Sequence, residues 1–344
     1  MTLKNKLFHG VLWTFADTFL VKGIAFCVGI FLARLLGPQE FGLLGMISIF
    51  VAIGTSLVES GLSSSIIRTS KPDNTDFSTV FYANIVFSIL VYLIIFISAP
   101  LISEFFEQVV LINVIRLFCV CFIITALSSV QLAILNKKML FKKITNYNLP
   151  STIIGSIVGL CLAFNNYGVY SLIWMYIVNK AVFSILLWLN SDWKPTLIFS
   201  IPKFKYHFYY GYKLLLAGLL NKFYLNLYNI IIGKYYSVQT IGYYERSSNF
   251  SQYSSDVLTG IIKKITFPLL SEIKEDKISV SIIYMKILRL AFFVSAPIML
   301  GLAAISKPLF LFFLGKEWLP AVVFFQILCV SSVLYPIHSL NLNI

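Results

Sequence analysis

Phe31-Leu32-Ala33-Arg34-Leu35-Leu36-Gly37-Pro38-Gln39-Glu40-Phe41-Gly42 has a counterpart 200 positions later, Ile231-Ile232-Gly233-Lys234-Tyr235-Tyr236-Ser237-Val238-Gln239-Thr240-Ile241-Gly242. Each stretch reads as the end of a long apolar helix, a basic residue, a break, and a glycine that opens the next apolar run. Upstream of both, Lys22 and Lys222 occupy equivalent positions. Further on, Ile97-Ser98-Ala99-Pro100-Leu101 echoes Ile305-Ser306-Lys307-Pro308-Leu309, and Cys119-Val120 echoes Cys329-Val330. An internal repeat of this length decides architecture before any single motif does.

Around these anchors the apolar runs fall at about 11–36, 41–62, 79–103, 109–134, 149–165, 168–190, 208–233, 242–266, 283–305 and 319–341, separated by Gly, Pro and charge. Six runs precede the second copy. An even number gives both copies the same orientation, related by an axis along the membrane normal. The expected fold is therefore an all-α integral membrane protein of two parallel-repeat lobes with about ten transmembrane helices. A six-helix lobe would span 1–195 and a second of about four helices 196–344. The second lobe stops at the equivalent of its fourth span, so a complete copy is expected to need about two more helices.

Composition agrees. The 344 residues are 58% hydrophobic and 12% charged, with mean hydropathy +0.86, against roughly a quarter charged in soluble domains. The first run carries Asp17 and Lys22 and shows no small-residue cleavage site, so it is expected to be a retained helix and not a signal peptide. The net charge of +13 would suggest a nucleic-acid partner in a soluble protein. Here its distribution gives a different reading. Lys4, Lys6, Arg68, Lys71, Lys137, Lys138, Lys142, Lys143, Lys194, Lys203, Lys205, Lys263, Lys264, Lys274 and Lys277 fall in loops on one side, and only Arg34, Lys234, Lys307 and Lys316 on the other. That asymmetry predicts a cytoplasmic N-terminus and no nucleic acid.

Charges within apolar runs are expensive and mark pathways. Lys22 and Lys222 lie near the middle of the first and seventh runs, Arg116 in the fourth, Lys180 in the sixth and Arg289 near the start of the ninth. In the eighth, Glu245, Asn249, Gln252, Asp256, Thr259 and Lys263 recur at intervals of four and three, one continuous helical face, with Arg246 beside its upper end. The stripe is expected to line water, substrate or a partner helix, and Leu258, off the stripe, to face lipid. Asp17, Glu59 and Asp256 are the carboxylates placed to couple a proton or cation. The structural alternatives are that Lys22 pairs with Asp17 to fix helix packing, and that the stripe is a polar seam. Tyr224, Tyr228, Tyr243, Tyr244 and Tyr253 fall where they could stack on sugar rings.

Catalytic constellations are missing. His9, His207 and His338 stand apart from Cys and carboxylates at ligand spacing, and no Gly-rich phosphate loop with its Lys occurs. The five cysteines fall in apolar runs and read as small core residues. No cofactor, metal or enzyme activity is expected.

The turn Leu35-Leu36-Gly37-Pro38-Gln39-Glu40-Phe41-Gly42, with Gly61-Leu62, Ile232-Gly233-Lys234-Tyr235-Tyr236 and Gly242-Tyr243-Tyr244, resembles the Wzx-type polysaccharide biosynthesis flippases of the multidrug/oligosaccharidyl-lipid/polysaccharide exporter superfamily. The resemblance implies a MATE-like V of two lobes around a cationic cavity that opens alternately to each side of the bacterial inner membrane. It implies undecaprenyl-pyrophosphate-linked glycan as substrate, membrane lipids as surroundings, and polysaccharide polymerase and chain-length machinery as partners. On that reading Lys22, Lys222, Arg116, Arg246, Arg289, Asn249 and Gln252 would bind substrate. The alternative within the superfamily is a cation-coupled multidrug exporter. The excess of internal Lys and Arg argues against a cationic cargo, and the short outer connectors argue against a membrane glycosyltransferase or polymerase.

Overall fold

A left-handed glycine breaks the first helix where the sequence places its turn. α1 (Leu3–Glu59) is continuous except at Gly37, whose φ of 73° and ψ of 177° lie outside any helix, and Pro38 then starts the next segment with a ring that needs no N–H partner. The computed structural model describes the backbone of residues 3–59, 61–272 and 277–337, and the side chains of 19–58, 61–260 and 284–337. Next come α2 (Leu62–Arg68), α3 (Asn74–Phe105), α4 (Leu111–Phe118), α5 (Val120–Lys137), α6 (Phe141–Phe164) and α7 (Val169–Leu189). They are followed by α8 (Ile201–Tyr235), α9 (Val238–Glu272), α10 (Lys277–Ala304), α11 (Ser306–Phe313), a 3-10 turn at Lys316–Trp318 and α12 (Ala321–Ser332).

The protein is an all-α membrane protein. Seven described helical stretches are long and apolar enough to cross a bilayer, and one of them, Phe19–Val58, contains both spans flanking the Gly37 break. α9 falls outside that set because of its polar residues, and α12 because it has 12 residues. These account for the ten expected spans. Helix starts follow local chemistry: Asp73 accepts from the Asp76 N–H at 2.9 Å while the Asp76 carboxylate accepts from the Asp73 N–H at 2.9 Å, a reciprocal cap for α3.

Two compact units form. The first comprises the described residues up to Leu36 together with Leu43–Ser237; the second comprises Gly37–Gly42 with Val238 onward. The packing division therefore falls at Ser237, whereas the repeat boundary read from the sequence falls at 195/196. The difference is α8, which opens the second repeat yet packs on α2 and α3. Its buried positions are His207, Gly211, Asn229 and Gly233.

The first unit has an apolar core, with Ile66, Phe122 and Ile173 fully buried, and it also buries polar side chains while exposing apolar ones. Ser63, Asn84 and Ser129 are buried and joined, with the Asn84 amide donating to Ser129 Oγ at 2.8 Å and Ser63 Oγ at 3.2 Å. Ile94, Ile97 and Leu101 on the same helix as Asn84 are exposed. A bilayer solvates apolar side chains and leaves polar ones to find partners inside. The α6–α7 contact shows the same logic: Cβ atoms at Gly155 and Gly159 would lie 2.7 Å from the Met175 carbonyl oxygen and 2.8 Å from Met175 Cβ. This small-xxx-small pair lets two backbones approach where apolar burial offers no driving force.

Inside the second unit the repeat becomes visible as geometry. A Cβ at Gly42 would lie 1.9 Å from the Val238 carbonyl oxygen, and one at Gly242 would lie 1.9 Å from the Pro38 carbonyl oxygen. Positions 38 and 238, like 42 and 242, are equivalents in the repeat, so each copy's glycine seats the other copy's turn.

Candidate functional site

α9 carries two polar faces, and the structure separates their tasks. Ser247 Oγ donates to the Ala321 carbonyl at 2.7 Å, Ser251 and Ser332 hydroxyls meet at 2.9 Å, and Ser255 Oγ donates to the Ser332 carbonyl at 3.3 Å. This buried serine face, spaced at i, i+4 and i+8, fastens α9 to α12. The stripe expected from the sequence lies on another side: Asn249 and Gln252 are exposed, Glu245 and Asp256 half-buried and Thr259 buried; the side chain of Lys263 lies outside the described residues. Leu258 is 8% exposed and belongs to the interior of its unit, so the expectation that it faces lipid is corrected. The small residues of α9, and not the large polar ones, make its closest packing.

Arg246 extends away from the stripe. Its guanidinium lies 4.6 Å from the centre of the Phe41 ring and 5.9 Å from that of Phe250, and the residue is 9% exposed. Phe41 in turn meets Trp318 edge-on at 5.8 Å, and Trp318 meets Tyr243 at 6.1 Å. A cation over aromatic faces is held electrostatically in a dry site. Arg116, on α4, lies over Phe96 at 4.4 Å, half-buried, with Nε making no hydrogen bond among the described residues. Lys22, Lys222 and Arg289 are exposed on α1, α8 and α10. Asp17 and Glu59 lie outside the described side chains. Of the five tyrosines, Tyr224 and Tyr228 are exposed, Tyr243 and Tyr244 pack against Trp318 and Phe324, and Tyr253 is half-buried.

The largest correction concerns His207, which the sequence leaves isolated. It is fully buried, with Nδ1 2.6 Å from Ser65 Oγ and Nε2 3.2 Å from Asp76 Oδ1. Lys203 bridges Asp76, at 3.2 Å, and Asp73. The Lys203 ammonium hydrogen-bonded to it, with the Asp76 N–H, holds the Asp73 carboxyl down to about 2. Beside this cluster a Cβ at Gly211 would lie 2.7 Å from the Gly61 backbone. A Ser–His–Asp row invites comparison with a nucleophile and its base, but Ser65 and His207 are sealed from solvent. The row ties α2, α3 and α8 together. At the far end of α8, Lys234 donates to the Phe105 carbonyl at 2.9 Å and reaches Glu107 at 3.2 Å, placing a cation on the C-terminus of α3.

Residues 31–323 match the family described as polysaccharide biosynthesis protein. The chain belongs to that family. It is 23% identical over 336 residues to the lipopolysaccharide biosynthesis protein WzxC of Escherichia coli K12, an alignment covering 97% of this chain and 68% of that protein. It is 20% identical over 335 residues to the teichuronic acid biosynthesis protein TuaB of Bacillus subtilis 168, covering 97% and 69%. Among solved structures, the lipid II flippase MurJ in an inward closed conformation superposes with a TM-score of 0.71 at 16% identity, covering 95% of this chain and 76% of that one. An inward-facing MATE family multidrug transporter superposes at 0.69 with 15% identity, covering 95% and 82%. At such identities the superpositions show the fold alone, which is MATE-like.

Proposed function

We propose that this chain is part of a multi-pass transporter of the bacterial cytoplasmic membrane, with a cytoplasmic N-terminus, that flips undecaprenyl-pyrophosphate-linked oligosaccharide units to the outer leaflet for surface polysaccharide synthesis. The observation that carries the reading is a pair of exposed lysines, Lys22 and Lys222, at repeat-equivalent positions of a MATE-like fold in a polysaccharide biosynthesis family. A pyrophosphate taken into low dielectric needs cations there. Substrate held by those cations more tightly in one state than in the other shifts the balance between inward- and outward-open states, which is the coupling alternating access requires. Asn249 and Gln252 offer amide donors and acceptors for sugar hydroxyls, and Tyr224 and Tyr228 offer rings for stacking. Arg116, Arg246 and Arg289 would extend the cationic path. Polysaccharide polymerase and chain-length machinery would receive the product.

The rival reading, a multidrug exporter coupled to a cation through Asp17, Glu59 or Asp256, gains no support from a surface rich in exposed lysines. The test is complementation of a strain lacking its polysaccharide flippase by the full-length gene. Lys22→Gln and Lys222→Gln should abolish export at unchanged membrane abundance, while Lys→Arg retains part of it because the charge survives. Normal export by both glutamine variants would overturn the proposal.

A further inference from the structure

One cavity of the first unit lies apart from the residues proposed to hold the transported substrate. About 230 Å³ in volume, it opens where α5 and α7 end and α6 begins, beside the segment leading to α8. Its lining combines three chemistries. Gln131 is 2% exposed, and among the described residues neither its Oε1 nor its Nε2 has a hydrogen-bond partner. Lys138 and Lys143, both exposed, stand at the rim against a single carboxylate, Asp192. Phe77, Tyr147 and Trp193 supply aromatic walls.

The wall is fixed in place before anything binds. Trp193 donates its indole N–H to Asn74 Oδ1 at 2.6 Å and meets Phe77 edge-on at 5.9 Å. Ser191 Oγ donates to the Trp193 carbonyl at 3.0 Å, closing the loop that carries Asp192. A buried primary amide with its donor and acceptor both unused destabilises the fold unless a guest supplies the matching groups. The guest must therefore carry hydroxyls, which both donate and accept, within reach of an anion placed between two lysines.

We propose that this cavity binds a phosphate ester bearing free hydroxyls, supplied by the phosphoglycerol headgroup of an anionic membrane lipid. The phosphate lies between Lys138 and Lys143, and the glycerol hydroxyls reach Gln131. The lipid source follows from the surroundings. Leu189 closes α7 at 76% exposure, and Leu197, at 95%, leads the exposed run Leu197-Ile198-Phe199 just beyond Trp193. These apolar residues are solvated by acyl chains and not by water, so the cavity mouth lies at the level of the headgroups. Basic pockets between helices at that level are the arrangement that selects anionic lipids. The inference does not depend on which glycan the protein moves, nor on Lys22 or Lys222.

The test uses the full chain purified in detergent and titrated with phosphatidylglycerol, with phosphatidylcholine as reference and lipid binding counted by native mass spectrometry. Phosphatidylglycerol should bind more tightly than phosphatidylcholine. The Lys138→Gln/Lys143→Gln double variant and Gln131→Leu should each weaken it by about tenfold or more. Lys142→Gln, adjacent but outside the cavity, should leave it unchanged. Gln131→Leu removes an unsatisfied group and is expected to fold; the surface lysine variant tests the proposal independently of that. Equal binding of the two lipids, or equal weakening by Lys142→Gln, overturns the site. Displacement of phosphatidylglycerol by glycerol 3-phosphate at comparable concentration keeps the phosphate-ester chemistry but overturns the lipid as its source.

Discussion

α8 and α9 are both 35 residues long and follow one another, yet they are held in opposite ways. α8 is apolar and largely exposed or half-buried, and it packs within the first unit through a thin buried line of His207, Gly211, Asn229 and Gly233. α9 carries charges and amides on one face and seats a serine face on α12. The pair teaches that in a bilayer a polar face marks contact with protein or water, and an exposed apolar face marks contact with lipid. A few buried polar or backbone contacts then decide where a helix lies, so α8 should depend on few residues and heavily, α9 on many and lightly.

The largest effects should come from the glycines where each helix meets other backbone. Gly211→Leu on α8 and Gly242→Leu on α9 place a side chain where a Cβ alone would lie 2.7 Å and 1.9 Å from backbone atoms. Neither should yield a monodisperse peak in detergent by fluorescence-detected size exclusion. A normal peak for Gly242→Leu would show that the reciprocal seating of the repeats is dispensable.

Next, His207→Ala leaves Asp76 and Ser65 buried without their shared partner and should cost about 3 kcal/mol. Ser251→Ala removes one neutral hydrogen bond and should cost about 1 kcal/mol. Thermal unfolding of the two variants in one detergent measures the ratio; equal losses would break the contrast between the helices.

A third outcome separates water from lipid. In a cysteine-free background Asn249→Cys and Gln252→Cys should react with a membrane-impermeant thiol reagent, whereas Ser255→Cys, against α12, and Phe223→Cys, exposed on the face of α8 opposite Lys222 and Tyr228, should not. Reaction at Phe223→Cys would place that face of α8 in water.

The smallest effect is electrostatic. Asp73 titrates near 2 in the folded chain against an ordinary 3.8, so its contribution is present above about pH 4 and is lost as pH falls through 2. Its side chain is 60% exposed, which screens the pairing with Lys203. Asp73→Asn keeps the cap and removes the charge; its melting temperature should lie slightly below wild type at pH 7 and converge with it below pH 2.

What the sequence disclosed was local. The break at Gly37, the matched glycines at 42 and 242 and the apolar runs are all signals within one helix or one turn, and each stands where it was expected. The lysines at 22 and 222 are exposed. What stayed hidden depends on partners distant in sequence: His207 finds Asp76 across 131 positions, and no spacing rule joins them. Two signals were readable. Ser247, Ser251 and Ser255 form a small-residue stripe at four-residue spacing, and Gly155 and Gly159 a small-xxx-small pair; both are quiet signals beside the larger charges.

The seating of Gly42 against Val238 and of Gly242 against Pro38 has a consequence for synthesis. The first turn leaves the ribosome about 200 residues before its counterpart exists, which at roughly 5–20 residues per second is a wait of about 10–40 s. During that interval the Gly37–Gly42 segment is already in the membrane without the chain that will cover it. The second unit, which takes this segment as its own, is therefore completed by joining the oldest part of the nascent chain to one of the newest. Insertion of the helices and assembly of the fold are thereby separated in time.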